Sequence, residues 1–371
     1  MFKNYRVRDY DFKLIIMVIA ISVIGVLVVG SAKASVQERQ LQGLLMGVFI
    51  MLVISFFDYS FFLHFYWLIY FVNLLLLVLV HFFGENVNNA TRWLEIGGIQ
   101  FQPSETAKIM LILFYSQFIM KHKEHLNSLR IIAMMILLLA PPLLLIYKQP
   151  DMSTSIVILV IFCVIWYMGG LDSKIIIGVL SVAIPAAVIF LILVLQPDQT
   201  IIKEYQQTRI LAWLEPEKYA TGAAYQQTNA MMAIGSGMLW GKGLNNNMIS
   251  SVKNGNFISE PQTDFIFTIV GEELGFVGGC VVILLEFLIA IECVNVARKA
   301  KDLAGTCIAS GMAALIGFQS FVNIAVATGI FPNTGVPLPF VSYGLTSLVS
   351  IFIGMGFVLN VRLQCVRKYN N

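Results

Sequence analysis

Read from the N-terminus, the chain alternates long apolar runs with short polar links. Ten runs approach or exceed membrane-spanning length, at about 12–31, 40–57, 61–83, 104–120, 130–147, 154–169, 174–195, 264–297, 303–331 and 343–361, a span needing about 20 mostly apolar residues. The eighth and ninth are long enough to tilt or to extend past the bilayer. No segment shows the period-two alternation of a half-buried strand, and a backbone in lipid must satisfy its own hydrogen bonds, which leaves helices. The pattern predicts an all-α polytopic membrane protein of about ten transmembrane helices, with residues 1–371 forming one membrane domain.

Composition supports this picture. The chain is 58% hydrophobic and only 12% charged, against about 25% charged in a soluble domain. A net charge of +3 gives no reason to expect a nucleic-acid partner. The five cysteines, Cys163, Cys280, Cys293, Cys307 and Cys365, lack metal-ligand spacing and read as free thiols. Ser31-Ala32-Lys33-Ala34 weakly resembles a leader cleavage site, but nine further apolar runs follow, so the first run is expected to remain as a span.

The basic residues orient the chain. One set of links holds Lys3, Arg6, Arg8, Lys13, Lys121, Lys123, Arg130, Lys174, Arg298, Lys299, Lys301, Arg362, Arg367 and Lys368; the opposite links, apart from residues 196–263, hold only Lys33, Arg39, Arg92 and Lys148. The positive-inside rule then predicts a multi-pass protein of the cytoplasmic (inner) membrane with both termini in the cytoplasm. Two outer links are long, at about 84–103 and at 196–263 between the seventh and eighth spans. The second contains amphipathic stretches, Tyr205–Leu214 and Tyr225–Met238, suited to a membrane interface.

Ionisable residues inside spans cost about 2.5–3.5 kcal/mol each on insertion scales and so mark candidate function. In Gln102-Pro103-Ser104-Glu105-Thr106-Ala107-Lys108, the glutamate and lysine share a helix face. They form either an internal ion pair at a capped helix start or a charged pair lining an outward cavity. Asp264, in Glu260-Pro261-Gln262-Thr263-Asp264, stands where the large loop re-enters the membrane, as an N-cap or as a general base at a cavity mouth. Glu272 and Glu273 lie inside the eighth span, in a packing network or facing water. Asn323 precedes a Gly- and Pro-rich elbow at Gly329–Gly344 that cannot continue a helix. Arg92, beside Trp93, is suited to bidentate phosphate contact or is a solvated loop residue. Asn89-Ala90-Thr91 matches a glycosylation acceptor, a pattern too short to carry weight.

Together these segments resemble the SEDS family (shape, elongation, division and sporulation) of bacterial cell-wall proteins, and within it the RodA type. The resemblance rests on Thr91-Arg92-Trp93, Gln102-Pro103-Ser104-Glu105 with Lys108, and Gln149-Pro150-Asp151. It continues through Tyr205-Gln206 with Arg209-Ile210, Tyr225-Gln226, Ala233-Ile234-Gly235-Ser236-Gly237 and Gly241-Lys242-Gly243-Leu244. Thr263-Asp264-Phe265-Ile266-Phe267, Gly271-Glu272-Glu273-Leu274-Gly275 and the elbow with Ser342-Tyr343-Gly344 complete it. Arg8-Asp9-Tyr10-Asp11 favours the RodA type. The chain departs from the family's usual pattern at Gln262, Asn333 and Leu345.

The resemblance implies a peptidoglycan glycosyltransferase that polymerises lipid II at the outer membrane face for cell elongation and rod shape. Lipid II, the lipid-linked nascent glycan, membrane lipids and a class B penicillin-binding protein transpeptidase are the implied partners. Asp264 matches the family's essential loop aspartate, with Glu105 assisting. Lys108, Arg92, Arg209 and Lys242 are candidate counter-charges for the diphosphate, and Trp93, Gln102, Ser104, Gln262 and Glu272 are candidate substrate contacts. No metal-ligand cluster is visible in the sequence; a divalent cation, Mg or Mn, would be a further counter-charge. By residues alone, a lipid II flippase or a non-catalytic scaffold for a transpeptidase competes with the enzyme. A transporter would favour inverted repeats, and none is evident.

Overall fold

A computed structural model describes residues 10–369, apart from 88–89, 97–98, 197–201, 203, 246–250, 252–253 and 256. Ten helices carry the ten apolar runs: α1 (Phe12–Ala32), α2 (Ala34–Phe56), α4 (Tyr66–Phe83), α5 (Pro103–Lys121), α6 (Leu129–Lys148), α7 (Met152–Met168), α8 (Ser173–Val194), α11 (Ile266–Arg298), α12 (Leu303–Ala327) and α13 (Leu345–Tyr369). Among the described residues, seven helices are long and apolar enough by themselves to cross a membrane. The third run is broken: a short helix, α3 (Tyr59–His64), is capped by Asp58 and precedes α4.

α12 is the hub. It packs on α11, α7, α5 and α13, and α13 in turn packs on α2. Small residues on α12 permit this: a Cβ at Gly311 would lie 2.8 Å from Ile165 Cδ1 of α7 and 3.1 Å from Ile112 Cγ2 of α5. Close approach through small side chains is how helices associate without a hydrophobic drive in lipid. By contrast, α8 packs lightly, and Ile177, Val179, Val182, Val188 and Ile189 are exposed, as lipid-facing residues should be.

Two features depart from the sequence expectation. The link at about 84–103 holds a three-stranded antiparallel sheet, β1 (Glu85–Val87), β2 (Ala90–Ile96) and β3 (Ile99–Phe101), where no strand was expected. β1 and β3 have three residues each, too few to show a period, and β2, Ala-Thr-Arg-Trp-Leu-Glu-Ile, does not alternate apolar with polar. They pair locally, β2 with β1 and β3 on either side. The second departure is in α11, which breaks at Gly275, where φ is 68° and ψ −166°. Glycine tolerates that backbone, and the break is bonded from outside. Lys242 N donates to Glu272 O at 3.0 Å and Gly243 N to Glu273 O at 3.0 Å; Phe276 N donates to Met238 O at 2.8 Å and Val277 N to Leu239 O at 3.1 Å. A Cβ at Gly241 would sit 2.1 Å from Glu273 O, so this close approach requires glycine.

The large loop forms two helices, α9 (Glu204–Leu214) and α10 (Tyr225–Ser236), on the two amphipathic stretches. Both lie against the start of the elbow: Trp213 Nε1 donates to Gly329 O at 2.9 Å, and Gln227 Nε2 donates to Val326 O at 2.8 Å and Phe331 O at 2.6 Å.

Candidate active site

The N-termini of α5, α7, α11 and α13 and the C-terminus of α12 meet at one end of the bundle, around the Gly329–Gly344 elbow. Pro103 opens α5 at a position that needs no N–H, and Glu105 lies in its first turn, near the positive end of the helix dipole. Lys108 Nζ donates to Glu105 Oε1 at 2.8 Å, with both side chains almost wholly buried. It also donates to Gln319 Oε1 of α12 at 3.1 Å, and Gln319 Nε2 donates to Pro337 O of the elbow at 2.9 Å. The internal ion pair is therefore present and tied to the elbow. Glu105 Oε2 is buried with no bonded partner among the described residues.

Asp264 is held through its main chain. Asn323 Nδ2 of α12 donates to Asp264 O at 2.8 Å and to Val336 O at 2.7 Å. On its other side, Ser342 Oγ donates to Thr263 O at 2.7 Å and Tyr343 N donates to Gln262 O at 2.8 Å. Asp264 does not cap α11, whose N-cap is Phe265, so the capping alternative is set aside. Its carboxylate faces Gly335, whose φ is +72° and where a Cβ would lie 3.3 Å from Asp264 Oδ2.

Burial pushes the Asp264 carboxyl above its ordinary value; Arg92 and Arg209 pull it back, and Asp151 and Glu260 push it further up. Charges of both signs thus surround it. Arg92 Nε donates to Gln149 O at 3.1 Å and its Nη2 to Pro150 O, which locks the guanidinium onto the α6–α7 link. Arg209 Nη1 of α9 donates to Asn333 O at 3.4 Å. Ser153 Oγ donates to Thr334 O, joining α7 to the elbow beside Gly335. Thr334 Oγ1 and Asn323 Oδ1 are buried without bonded partners among the described residues.

The remaining sequence candidates divide. Gln102 Nε2 donates to Ser104 Oγ at 3.1 Å and Gln102 N donates to Thr346 Oγ1 at 3.4 Å, so both stand at the α5 start beside α13. Gln262 is buried, and its Nε2 donates to Glu260. Trp93 follows Arg92 in β2 at a break in register, where Glu85 pairs with Trp93 and Asn86 with Thr91. Lys242 and Glu272 bond each other at 2.8 Å at the break in α11, two turns along from Asp264, and Glu273 Oε1 accepts from Ser31 Oγ of α1 at 2.7 Å. That pair belongs to the packing of the loop on α11. Sequence reasoning did not single out Gln319, Gly335 or Asp151 as site residues. Gln319 carries no local signal, whereas Asp151 stood in a motif already quoted and caps α7 through Thr154 N at 3.2 Å.

Among the described residues, no three His, Cys, Asp or Glu side chains gather as a metal-ligand set. Asp264 has two arginines, Arg92 and Arg209, and two further carboxylates, Asp151 and Glu260, acting on it.

This is a polytopic membrane protein with a partly buried carboxylate, two arginines and a buried Glu–Lys pair at one end of its bundle. Residues 11–366 match the cell cycle protein model of FtsW, RodA and SpoVE, and the chain belongs to that family. A probable peptidoglycan glycosyltransferase FtsW from Trichlorobacter lovleyi is 33% identical, covering 97% of this chain and 94% of its own. The peptidoglycan glycosyltransferase MrdB of Escherichia coli K12 is also 33% identical, over 95% of this chain and 93% of its own. Among solved structures, a chain of a peptidoglycan synthase complex coordinating polymerization and crosslinking superposes with a TM-score of 0.78 at 28% identity, covering 96% of this chain and 98% of that one. The rod shape determining protein RodA of Thermus thermophilus gives 0.68 at 28% identity, covering 95% of this chain and 96% of that one.

Proposed function

We propose that this peptidoglycan glycosyltransferase polymerises lipid II into β-1,4 glycan strands, with Asp264 as general base. The observation that carries the reading is the setting of Asp264: a main chain fixed by Asn323, a carboxylate against Gly335, and two arginines close enough to act on it. Asp264 takes the proton from the 4-hydroxyl of the acceptor sugar. That oxygen bonds to the anomeric carbon of the growing strand as the bond to its lipid diphosphate breaks. One displacement of an α-linked diphosphate inverts the centre and gives the β-link, so a single base suffices, as in the base half of inverting glycosidase chemistry. Desolvation makes the carboxylate a stronger base than an exposed one.

Arg92 and Arg209 supply positive charge where the diphosphate leaves, and fixed charge in a water-poor site is usually the largest catalytic contribution. Because Arg92 is already held by two carbonyls, it reorganises little. Lys108 lies deeper, bound to Glu105 and Gln319, and orders the floor of the site.

Lysine and arginine placement supports cytoplasmic termini and a site at the outer face. That position suits a substrate whose polyprenyl tail stays in the bilayer, since leaving would cost about 0.8 kcal/mol per CH₂. The synthase-complex neighbour supports a class B penicillin-binding protein as partner. Arg8-Asp9-Tyr10-Asp11 supports the elongation role, while the FtsW and MrdB relatives are equally similar.

The test is polymerisation of labelled lipid II by purified protein, with and without the transpeptidase, for wild type and Asp264→Asn. Strands from wild type and none from a folded variant are expected. Equal activity of the two removes Asp264 as base, and no polymer from partnered wild type revives the flippase and scaffold readings.

A further inference from the structure

The second helix of the large loop ends in an apolar turn that the chemistry above does not use. Met238, Leu239 and Trp240 follow α10 and its cap, Gly237, and are 78%, 60% and 79% exposed. Their backbone is not free to turn them inward. Gly237 and Gly241, on either side, pack so closely on α11 that a Cβ would lie 2.0 Å from Gly271 O and 2.1 Å from Glu273 O. Met238 itself has φ +52°, a left-handed conformation uncommon for a residue with a side chain. Met238 O and Leu239 O accept from Phe276 N at 2.8 Å and Val277 N at 3.1 Å, which fastens the turn to the break in α11.

Two helices give the height of this turn. Lys13 Nζ of α1 lies 3.2 Å from Glu292 Oε2 of α11 at one end of the bundle, and Ser31 Oγ of α1 donates to Glu273 Oε1 of α11 at 2.7 Å at the other. Between these bonds α1 advances from residue 13 to 31, and α11 runs from 273 to 292. Each advance is about 27–28 Å at about 1.5 Å per residue, close to the roughly 30 Å of a bilayer's hydrocarbon core. The level of Glu273 is therefore the hydrocarbon boundary on the site's side of the membrane. Phe276 and Val277, which hold the turn, lie just inside it.

The surface continues along α11. Phe276, Leu284 and Phe287 lie on one helix face and are exposed, as the lipid-facing side of a span is. The turn prolongs that stripe. From Gly237 to Leu244 the single charged residue is Lys242, and it is bonded to Glu272 at 2.8 Å. A tryptophan at the hydrocarbon boundary with methionine and leucine beside it has the makeup of an interfacial membrane anchor.

We propose that Met238, Leu239 and Trp240 form a re-entrant tip by which the large loop inserts into the lipid leaflet on the site's side, with phospholipid acyl chains as the occupant of this surface. Insertion fixes the height of α10 and of the elbow that α10 grips. Gln227 of α10 donates to Val326 O and Phe331 O, and a Cβ at Gly329 would lie 2.4 Å from Met231 Sδ. The insertion does not rest on the proposed chemistry; its effect on polymerisation does.

The experiment places the purified full-length protein in nanodiscs of phosphatidylethanolamine and phosphatidylglycerol, plain or with acyl chains brominated near the headgroup or near the chain end. Tryptophan emission of wild type minus that of Trp240→Phe isolates Trp240. That difference should be blue-shifted, quenched more by bromine near the headgroup than by bromine at the chain end, and protected from iodide in the water. Trp240→Phe keeps an apolar ring and should polymerise lipid II within about twofold of wild type. Leu239→Glu combined with Trp240→Glu should be several-fold slower in nanodiscs and much closer to wild type in detergent. Quenching by iodide and not by bromine overturns the insertion, as does a Trp240 signal that becomes protected only when the transpeptidase is added, which would assign the surface to a protein. Equal rates for the double glutamate variant and wild type in nanodiscs overturn the role in setting the elbow's height. An inactive wild type whose Trp240 is quenched by bromine refutes the proposed chemistry and leaves the insertion standing.

Discussion

Substituting Gly335 with alanine tests the contact between the elbow and Asp264. Two effects combine there. Gly335 has φ +72°, and an L-residue in the left-handed region costs about 1–2 kcal/mol. The new methyl would also lie 3.3 Å from Asp264 Oδ2, so the carboxylate must shift by a few tenths of an ångström or the elbow must give. A misplacement of about 1 Å in a catalytic group can cost about 10²-fold, so a smaller shift should cost on the order of tenfold. Gly170 provides the control, with φ +103° and nothing within 4 Å of its Cβ position. Gly335→Ala and Gly170→Ala should lose similar thermal stability in detergent, and only Gly335→Ala should lose polymerisation rate. Equal polymerisation by the two variants, at equal folded protein, would refute the claim that the elbow sets the carboxylate's position.

Other expectations follow from the same geometry. Glu105→Gln or Lys108→Met alone leaves a buried charge without its partner and should cost about 3–5 kcal/mol of stability; thermal melts should show the double variant recovering much of that loss while polymerisation stays low. Arg92→Ala should slow polymerisation by about 10²-fold if its charge meets the leaving diphosphate, and an unchanged rate would remove it from the site. Because the Asp264 carboxyl is raised, the rate should climb with pH through a value above the ordinary carboxylate range, and Arg92→Ala or Arg209→Ala should move that limb higher. The stability sign is opposite: the native state holds this proton more tightly than the unfolded chain. The contribution is full below the ordinary aspartate value and is lost as pH rises through the raised one, which pH-dependent melts can follow. Lys242→Met should destabilise the loop on α11, since it strips Glu272 of its 2.8 Å partner, and should leave the pH dependence of polymerisation unchanged.

What the chain's order alone determined is what short-range physics controls. Apolar runs of spanning length must become helices in lipid, so the ten helices, the two amphipathic helices of the large loop and the Gly- and Pro-rich elbow were legible. The Glu105–Lys108 pair was legible too, because a separation of three residues on a helix guarantees proximity. Asp264 stood out as an acid at a membrane re-entry, but its surroundings did not. Lys108 meets Gln319 across 211 residues, Asn323 holds Asp264 across 59, and Arg92 reaches Gln149 across 57. No local pattern encodes those distances; the packing of α12 among α5, α7 and α11 sets them. The same holds for Lys242 and Glu272, each a plausible substrate contact alone, which the break in α11 turns toward each other. The small sheet was hidden because its outer strands have only three residues and its central strand does not alternate, and they form by pairing with neighbours. Charge and hydropathy could place a reactive group at the membrane face; only the packed bundle could say which of many polar residues share its space.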